Sequence, residues 1–181
     1  IQEEAKKIIE SFFSDTHSLV SLYSTGMEAV EVSMRIAKTI SSKKGLIGFE
    51  RSMHGKSLAS AYLSWDNKDD VDISSMYKLP FVDIAEEAIV LQNLEKIVKN
   101  KSIGAIYIEP VQGVNGCYYA SKGFYSKLNK ICKINDIVLV FDEILTGFYR
   151  TGSPFFFSSL DFVPDIIVIG KAMGNGFPVS G

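Results

Sequence analysis

Three apolar runs in this chain each stop at a residue with a reactive side chain. Residues 105–108 run into Glu109 and Pro110, residues 137–141 into Asp142 and Glu143, and residues 166–169 into Gly170 and Lys171. Runs of four or five residues rich in Ile and Val, bounded by polar or turn residues, read as buried strands of a parallel sheet. An open α/β sheet gathers its ligand-binding groups outside the carboxyl ends of its strands. The pattern therefore predicts that Glu109, Asp142 and Lys171 meet at one edge of one sheet.

Helical periodicity fills the intervals. Residues 1–13 read as a helix with Ala5, Ile8, Ile9, Phe12 and Phe13 on one side. Ser24-Thr25-Gly26 opens a second helix that continues to about Ser41, with Val30, Met34, Ala37 and Ile40 as its apolar face. Residues 93–100 and 122–135 read as two more, the latter with Phe124, Leu128, Ile131 and Cys132 in register. Further strands are predicted at 18–23, 46–49 and 88–91. Residues 50–55 and then a loop or helix of weak pattern follow the strand at 46–49, and the acidic stretch 65–78 reads as an exposed excursion. Strands alternating with helices imply right-handed crossovers, hence an α/β fold with a mostly parallel sheet and flanking helices. The 181 residues suffice for one such domain. Both ends read as cut: the chain opens inside a helix at Ile1, and stops at Gly181 where another strand is expected to begin.

Composition removes several classes. A formal net charge of −2 gives no reason to expect nucleic acid or an anionic membrane as partner. No apolar stretch reaches the ~18 residues of a membrane span. Two cysteines, Cys117 and Cys132, make no disulfide framework and suit a reducing, cytoplasmic setting. No metal site is expected. No G-x-G-x-x-G follows an early strand, so dinucleotide binding is not indicated.

The remaining chemistry is specific. A carboxylate that can pair with a pyridinium nitrogen, plus an amine that can form a Schiff base, is the minimal constellation for pyridoxal 5′-phosphate. Asp142 and Lys171 supply those groups. Thr25, Gly26 and Met27 stand where a strand turns into a helix, and the free N–H groups there can bind phosphate. An ordinary helix cap accounts for Thr25 equally well, as a strand-end turn does for Asp142 and an exposed loop position for Lys171. His54, beside Met53, can orient Asp142, contact a cofactor, or be a satisfied structural histidine. Glu143 points to the other face and reads as structural.

Taken together the segments carry a recognisable pattern: Ser24-Thr25-Gly26-Met27-Glu28, Met53-His54-Gly55, Glu109-Pro110-Val111-Gln112-Gly113, Asp142-Glu143-Ile144-Leu145-Thr146-Gly147, and Gly170-Lys171-Ala172-Met173-Gly174. In this order and spacing the chain resembles the class III pyridoxal phosphate-dependent aminotransferases of fold type I. The resemblance implies that residues 1–181 form part of the large cofactor-binding domain of a longer homodimeric enzyme with a small C-terminal domain. It also implies that the strand expected to begin at Gly181 is antiparallel and lies between the strand ending at Gly170 and residues 18–23. It implies Lys171 as the Schiff-base lysine, Asp142 as partner of the pyridine nitrogen, and Ile144 and Met53 on the two ring faces. Gly26 and Met27 become phosphate donors, and Glu109 faces the substrate or a substrate-binding arginine. The implied reaction moves an amino group from an amine or amino acid to an oxo acid. Three positions depart from the pattern. Met53 stands where an aromatic residue is usual, Met27 replaces a common Thr or Ala, and Leu145 replaces a frequent Gln, as in the glutamate-1-semialdehyde aminomutase branch. An aminomutase, racemase or decarboxylase reaction on the same scaffold, or a non-catalytic remnant, are the competing expectations.

Overall fold

The computed structural model describes residues 2–13, 15–64 and 75–181. Helix and strand alternate along the chain as α1 (Gln2–Ser11), α2 (Gly26–Ser41), β1 (Gly45–Phe49), α3 (Leu58–Leu63), β2 (Met76–Leu79), α4 (Glu87–Asn100), β3 (Ile103–Ile108), α5 (Lys122–Ile134), β4 (Val138–Asp142) and β5 (Ile166–Val168). The strands form one sheet in the order β2-β1-β3-β4-β5. Every neighbouring pair is parallel.

Every residue of β1, β3 and β4 is buried, which a sheet permits only when helices cover both faces. Strand alternation divides these residues into two cores. Ile47, Phe49, Ile106, Ile108, Leu139 and Phe141 pack with residues of α1, α4 and α5. Leu46, Ala105, Tyr107, Val138, Val140 and Val168 pack with Ala29, Val30, Met34 and Ala37 of α2 and Leu63 of α3. The connection through α3 runs outward from β1 to β2, and the connection through α4 returns across β1 to β3 on the opposite face. Direction and face change together, as a single crossover hand requires. The sheet therefore reverses its winding between β1 and β3, and the loops leaving those two strands open a crevice at its carboxyl edge.

Three expected elements differ. The predicted strand at 88–91 lies inside α4, because Val90 and Leu91 bury together with Leu94 one helical turn on. A four-residue apolar run cannot by itself distinguish the two periods. The stretch expected as an excursion over 65–78 falls largely outside the described residues, but its end contributes β2, paired with β1 from Leu46↔Met76 to Phe49↔Leu79. Residues 18–23 form no regular strand; Tyr23 makes a lone antiparallel bridge with Ser180. That bridge has both N–H···O bonds at 2.8 Å, and Gly181 exchanges bonds of 3.0 and 2.9 Å with Ile169. Residues 180–181 thus lie between Tyr23 and the end of β5, the place predicted for an antiparallel strand. Alongside, Leu19, Val20, Val32, Ile36 and Ile167 help line a cavity of about 130 Å³ that none of His54, Asp142 or Lys171 enters.

Candidate active site

Because β3, β4 and β5 run parallel, Glu109, Asp142 and Lys171 leave the sheet at the same edge. Asp142 closes β4 and is buried. Its Oδ1 accepts the Ile144 N–H at 3.1 Å. Its Oδ2 lies 2.7 Å from His54 Nδ1. A carboxylate offers only acceptors, so Nδ1 carries the proton in this bond. His54 comes from the loop after β1, where its own N–H donates to Ser64 Oγ at 2.8 Å. Burial works against a charged imidazole. The hydrogen bond and charge of Asp142, helped by Glu109, nevertheless raise the His54 pKa above its ordinary value. Asp142 is therefore a buried carboxylate whose Oδ2 is satisfied by the His54 ring N–H, the kind of partner that makes burial tolerable. His54 Nε2 is buried with no hydrogen-bond partner among the described residues. The Tyr107 ring stands edge-on to the imidazole at 6.1 Å between centroids.

Polar bonds tie the loop after β3 to the loop after β1. Glu109, the residue after β3, is 5% exposed, and its Oε1 accepts the Met53 N–H at 2.6 Å. Gln112 Nε2 donates to the Glu50 carbonyl at 3.0 Å and to Ser52 Oγ at 3.1 Å. Burial pushes the Glu109 pKa up to about 7, with Asp142 adding to the rise and His54, the Met53 N–H and Lys171 opposing it. One oxygen of Glu109 is thus committed to backbone rather than aimed outward.

Helix α2 begins beside these loops. Thr25 is its N-cap in a capping box: Thr25 Oγ1 accepts from the Glu28 N–H, while Glu28 Oε2 accepts from the Thr25 N–H at 2.8 Å and its hydroxyl at 2.9 Å. The Thr25 hydroxyl is committed to the helix start, a role its T-x-x-E spacing signals. The N–H groups of Gly26 and Met27 precede the first intrahelical bonds, which Glu28 and Ala29 make to the Thr25 carbonyl. Among the described residues they face no internal acceptor, and they suit an anion. Ile144 closes the cradle: a Cβ at Gly26 would stand 2.7 Å from Ile144 Cδ1. Gly55, with φ +141°, brings the β1 loop against the same helix start, since a Cβ there would lie 2.6 Å from Met27 Cβ. Gly26→Val is expected to destabilise the fold by about 1–3 kcal/mol through this clash. Pairing it with Ile144→Ala should recover part of that loss; a double-mutant cycle of thermal unfolding on the full-length protein checks the coupling.

Lys171 is exposed and opens a 3-10 turn, Lys171–Gly174, after β5. Its φ of 44° is left-handed, a conformation that costs a lysine about 1–3 kcal/mol and persists only where the surroundings impose it. Its Nζ makes no hydrogen bond among the described residues. Sequence reasoning missed Ser180, whose Oγ donates to the Thr25 carbonyl at 2.7 Å and ties the chain after Lys171 to the start of α2. Gln112 was quoted in the pattern without a role, and no local signal marks it as a fastener. Glu143 accepts from Thr146 Oγ1 at 2.5 Å and from the Phe156 and Phe157 N–H groups at 3.0 and 2.9 Å, so it holds the following loop, as its place on the opposite face suggests.

The sequence matches the Aminotransferase class-III family over residues 1–181. It is 32% identical to a [LysW]-aminoadipate semialdehyde/glutamate semialdehyde transaminase of Sulfolobus acidocaldarius, over 99% of this chain and 45% of that protein. It is 34% identical to a 5-aminovalerate aminotransferase of Pseudomonas aeruginosa, over 99% of this chain and 45% of that protein. The chain therefore spans less than half the length of these curated relatives. In fold it superposes on a transaminase from the marine bacterium Virgibacillus with a TM-score of 0.88 at 24% identity, covering 99% of this chain and 43% of that one. A PLP-bound aminotransferase mutant from Vibrio fluvialis gives 0.84 at 20% identity, covering 98% and 45%.

Proposed function

The chain belongs to the class III aminotransferases, and from that membership we propose that it carries the pyridoxal phosphate site of an enzyme that moves an amino group between an amine or amino acid and an oxo acid. The observation that carries the proposal is the buried His54–Asp142 pair at the sheet edge. A buried carboxylate held by the ring N–H of a histidine suits a protonated ring nitrogen as its remaining partner. The cradle formed by Gly26 against Ile144 agrees with it, because the backbone N–H groups of Gly26 and Met27 stand beside an apolar wall, as a phosphorylated aromatic ring requires.

In this reading Gly26 and Met27 hold the phosphate by their N–H groups, with the positive end of α2 behind them. Ile144 and Met53 cover the two faces of the ring. Asp142 holds the proton on the ring nitrogen, and His54 holds Asp142 in orientation. Pyridoxal phosphate supplies an electron sink when bound, and its power depends on the ring keeping that proton. Lys171 carries the exposed primary amine, and its Nζ takes and returns the proton that the reaction moves. The amino donor and the oxo acid are small molecules.

A homodimer and a cytoplasmic location belong to the same proposal. Exposed apolar side chains at Val114, Tyr119 and Phe177 flank the site loops and favour a protein partner over open water. Cys117 and Cys132 are both free thiols, which suits a reducing compartment. No helix among the described residues is long and apolar enough to cross a membrane.

The test is the visible spectrum of the full-length protein. A band that appears with pyridoxal phosphate, disappears on borohydride treatment and leaves a covalent label on Lys171 is the expected result. A label elsewhere, or no band, would refute the assignment.

A further inference from the structure

We propose that Glu109 is a positioning residue whose carboxyl grips the Met53 N–H and so holds the loop after β1 against the cofactor ring. The proposal rests on the reading of this crevice as a pyridoxal phosphate site. The loop over residues 50–54 has no regular structure, and Arg51 within it adopts a left-handed φ of 61°. Such a segment keeps one shape only if outside groups fasten it. Its fasteners include Gln112 on Glu50 and Ser52, the Leu79 carbonyl on the Glu50 N–H, Ser64 and Asp142 on His54, and Asp83 on Arg51 at 2.8 Å. Glu109 takes the one remaining position, Met53, through a 2.6 Å bond. It differs from Gln112 and Ser64 in being ionisable.

The groups facing Glu109 come from three elements: His54 from the β1 loop, Asp142 from the end of β4, and Lys171 from the end of β5. Burial and Asp142 favour its neutral form, while His54 and Lys171 favour its charge. The balance leaves it changing charge near neutral pH. A carboxylate accepts an N–H more strongly than a neutral carboxyl does, so the grip on Met53 tightens as pH rises through about 7. Global stability moves the other way. The folded chain keeps the Glu109 proton more tightly than the unfolded chain, so that contribution is complete below the ordinary carboxylate range and is lost as pH rises to about 7.

The experiment compares full-length wild type with Glu109→Gln and Glu109→Leu. Glutamine keeps an acceptor oxygen and removes the titration, whereas leucine removes both. In protein labelled with 15N-methionine, the Met53 amide resonance of wild type should shift with a midpoint near pH 7. Glu109→Gln should abolish that shift and flatten the fall in stability over the same range, with pyridoxal phosphate affinity held within about threefold. Glu109→Leu should weaken that affinity by about tenfold or more, the loss expected for a hydrogen bond to a charged group. A Met53 resonance indifferent to pH in wild type would overturn the proposal. So would a Glu109→Leu protein with unchanged cofactor affinity and a raised KM for the amino donor alone, because Glu109 would then serve the substrate. If wild type binds no pyridoxal phosphate, the functional reading fails, and the Met53 titration with its loss in Glu109→Gln still decides whether Glu109 holds the loop.

Discussion

On the proposed function, Lys171→Ala in the full-length protein is expected to abolish turnover. The loss of positioned proton transfer alone accounts for about 10²–10⁴-fold, and the covalent role of the amine is lost with it. The variant should still fold. Alanine places the same Cβ at the left-handed φ of 44° that lysine already adopts, so the backbone strain is unchanged, and the exposed side chain takes no buried contacts with it. Cofactor should still bind, because the phosphate donors on Gly26 and Met27 are untouched. Steady-state kinetics, thermal unfolding and cofactor affinity measured together separate these effects, and a small primary amine added to the assay should restore part of the proton transfer. Wild-type turnover in Lys171→Ala would remove Lys171 from the mechanism.

Asp142→Asn carries the next largest effect. An amide keeps the size of the side chain but cannot hold a proton on a ring nitrogen by charge. It also leaves a buried imidazole whose raised pKa depends on Asp142. Breaking a buried charge pair costs about 3–5 kcal/mol. A loss of that size from transition-state stabilisation corresponds to roughly 10²–10³-fold or more in rate. The same substitution should lower the His54 pKa, since the two largest contributions that offset burial come from Asp142, with Glu109 adding a third. Histidine resonances followed against pH would detect this without any turnover. A variant with wild-type kcat and an unmoved His54 titration would show that the pair does not act as described.

The strand ends were legible in the sequence because they depend on local rules. A buried parallel strand must be apolar along its length, so the runs ending at Glu109, Asp142 and Lys171 announce both the strands and the edge where they stop. The beginning of α2 was legible for the same reason: Thr25, Gly26 and Glu28 satisfy a helix terminus within four residues. The short elements were not. Residues 88–91 read equally as strand or helix until Leu94 supplies the buried partner one turn later. Residues 18–23 acquire pairing only from Ser180, at the far end of the chain.

What the sequence by itself determined is the fold class, the longer helices and the apolar strands that stop at Glu109, Asp142 and Gly170, because period, capping and apolar runs act over a few residues. Tertiary structure alone decided what those groups touch. His54 reaches Asp142 across 88 residues, and Met53 reaches Glu109 across 56. Neither contact has a local signature, since each exists only because parallel strands bring loops distant in the chain to one edge. The same packing bonded one oxygen of Glu109 to the Met53 N–H and the Thr25 hydroxyl to Glu28. Hydrogen-bonding capacity is written in residue types, but which donor meets which acceptor is settled by the sheet order and by the burial that makes an unmet polar group costly.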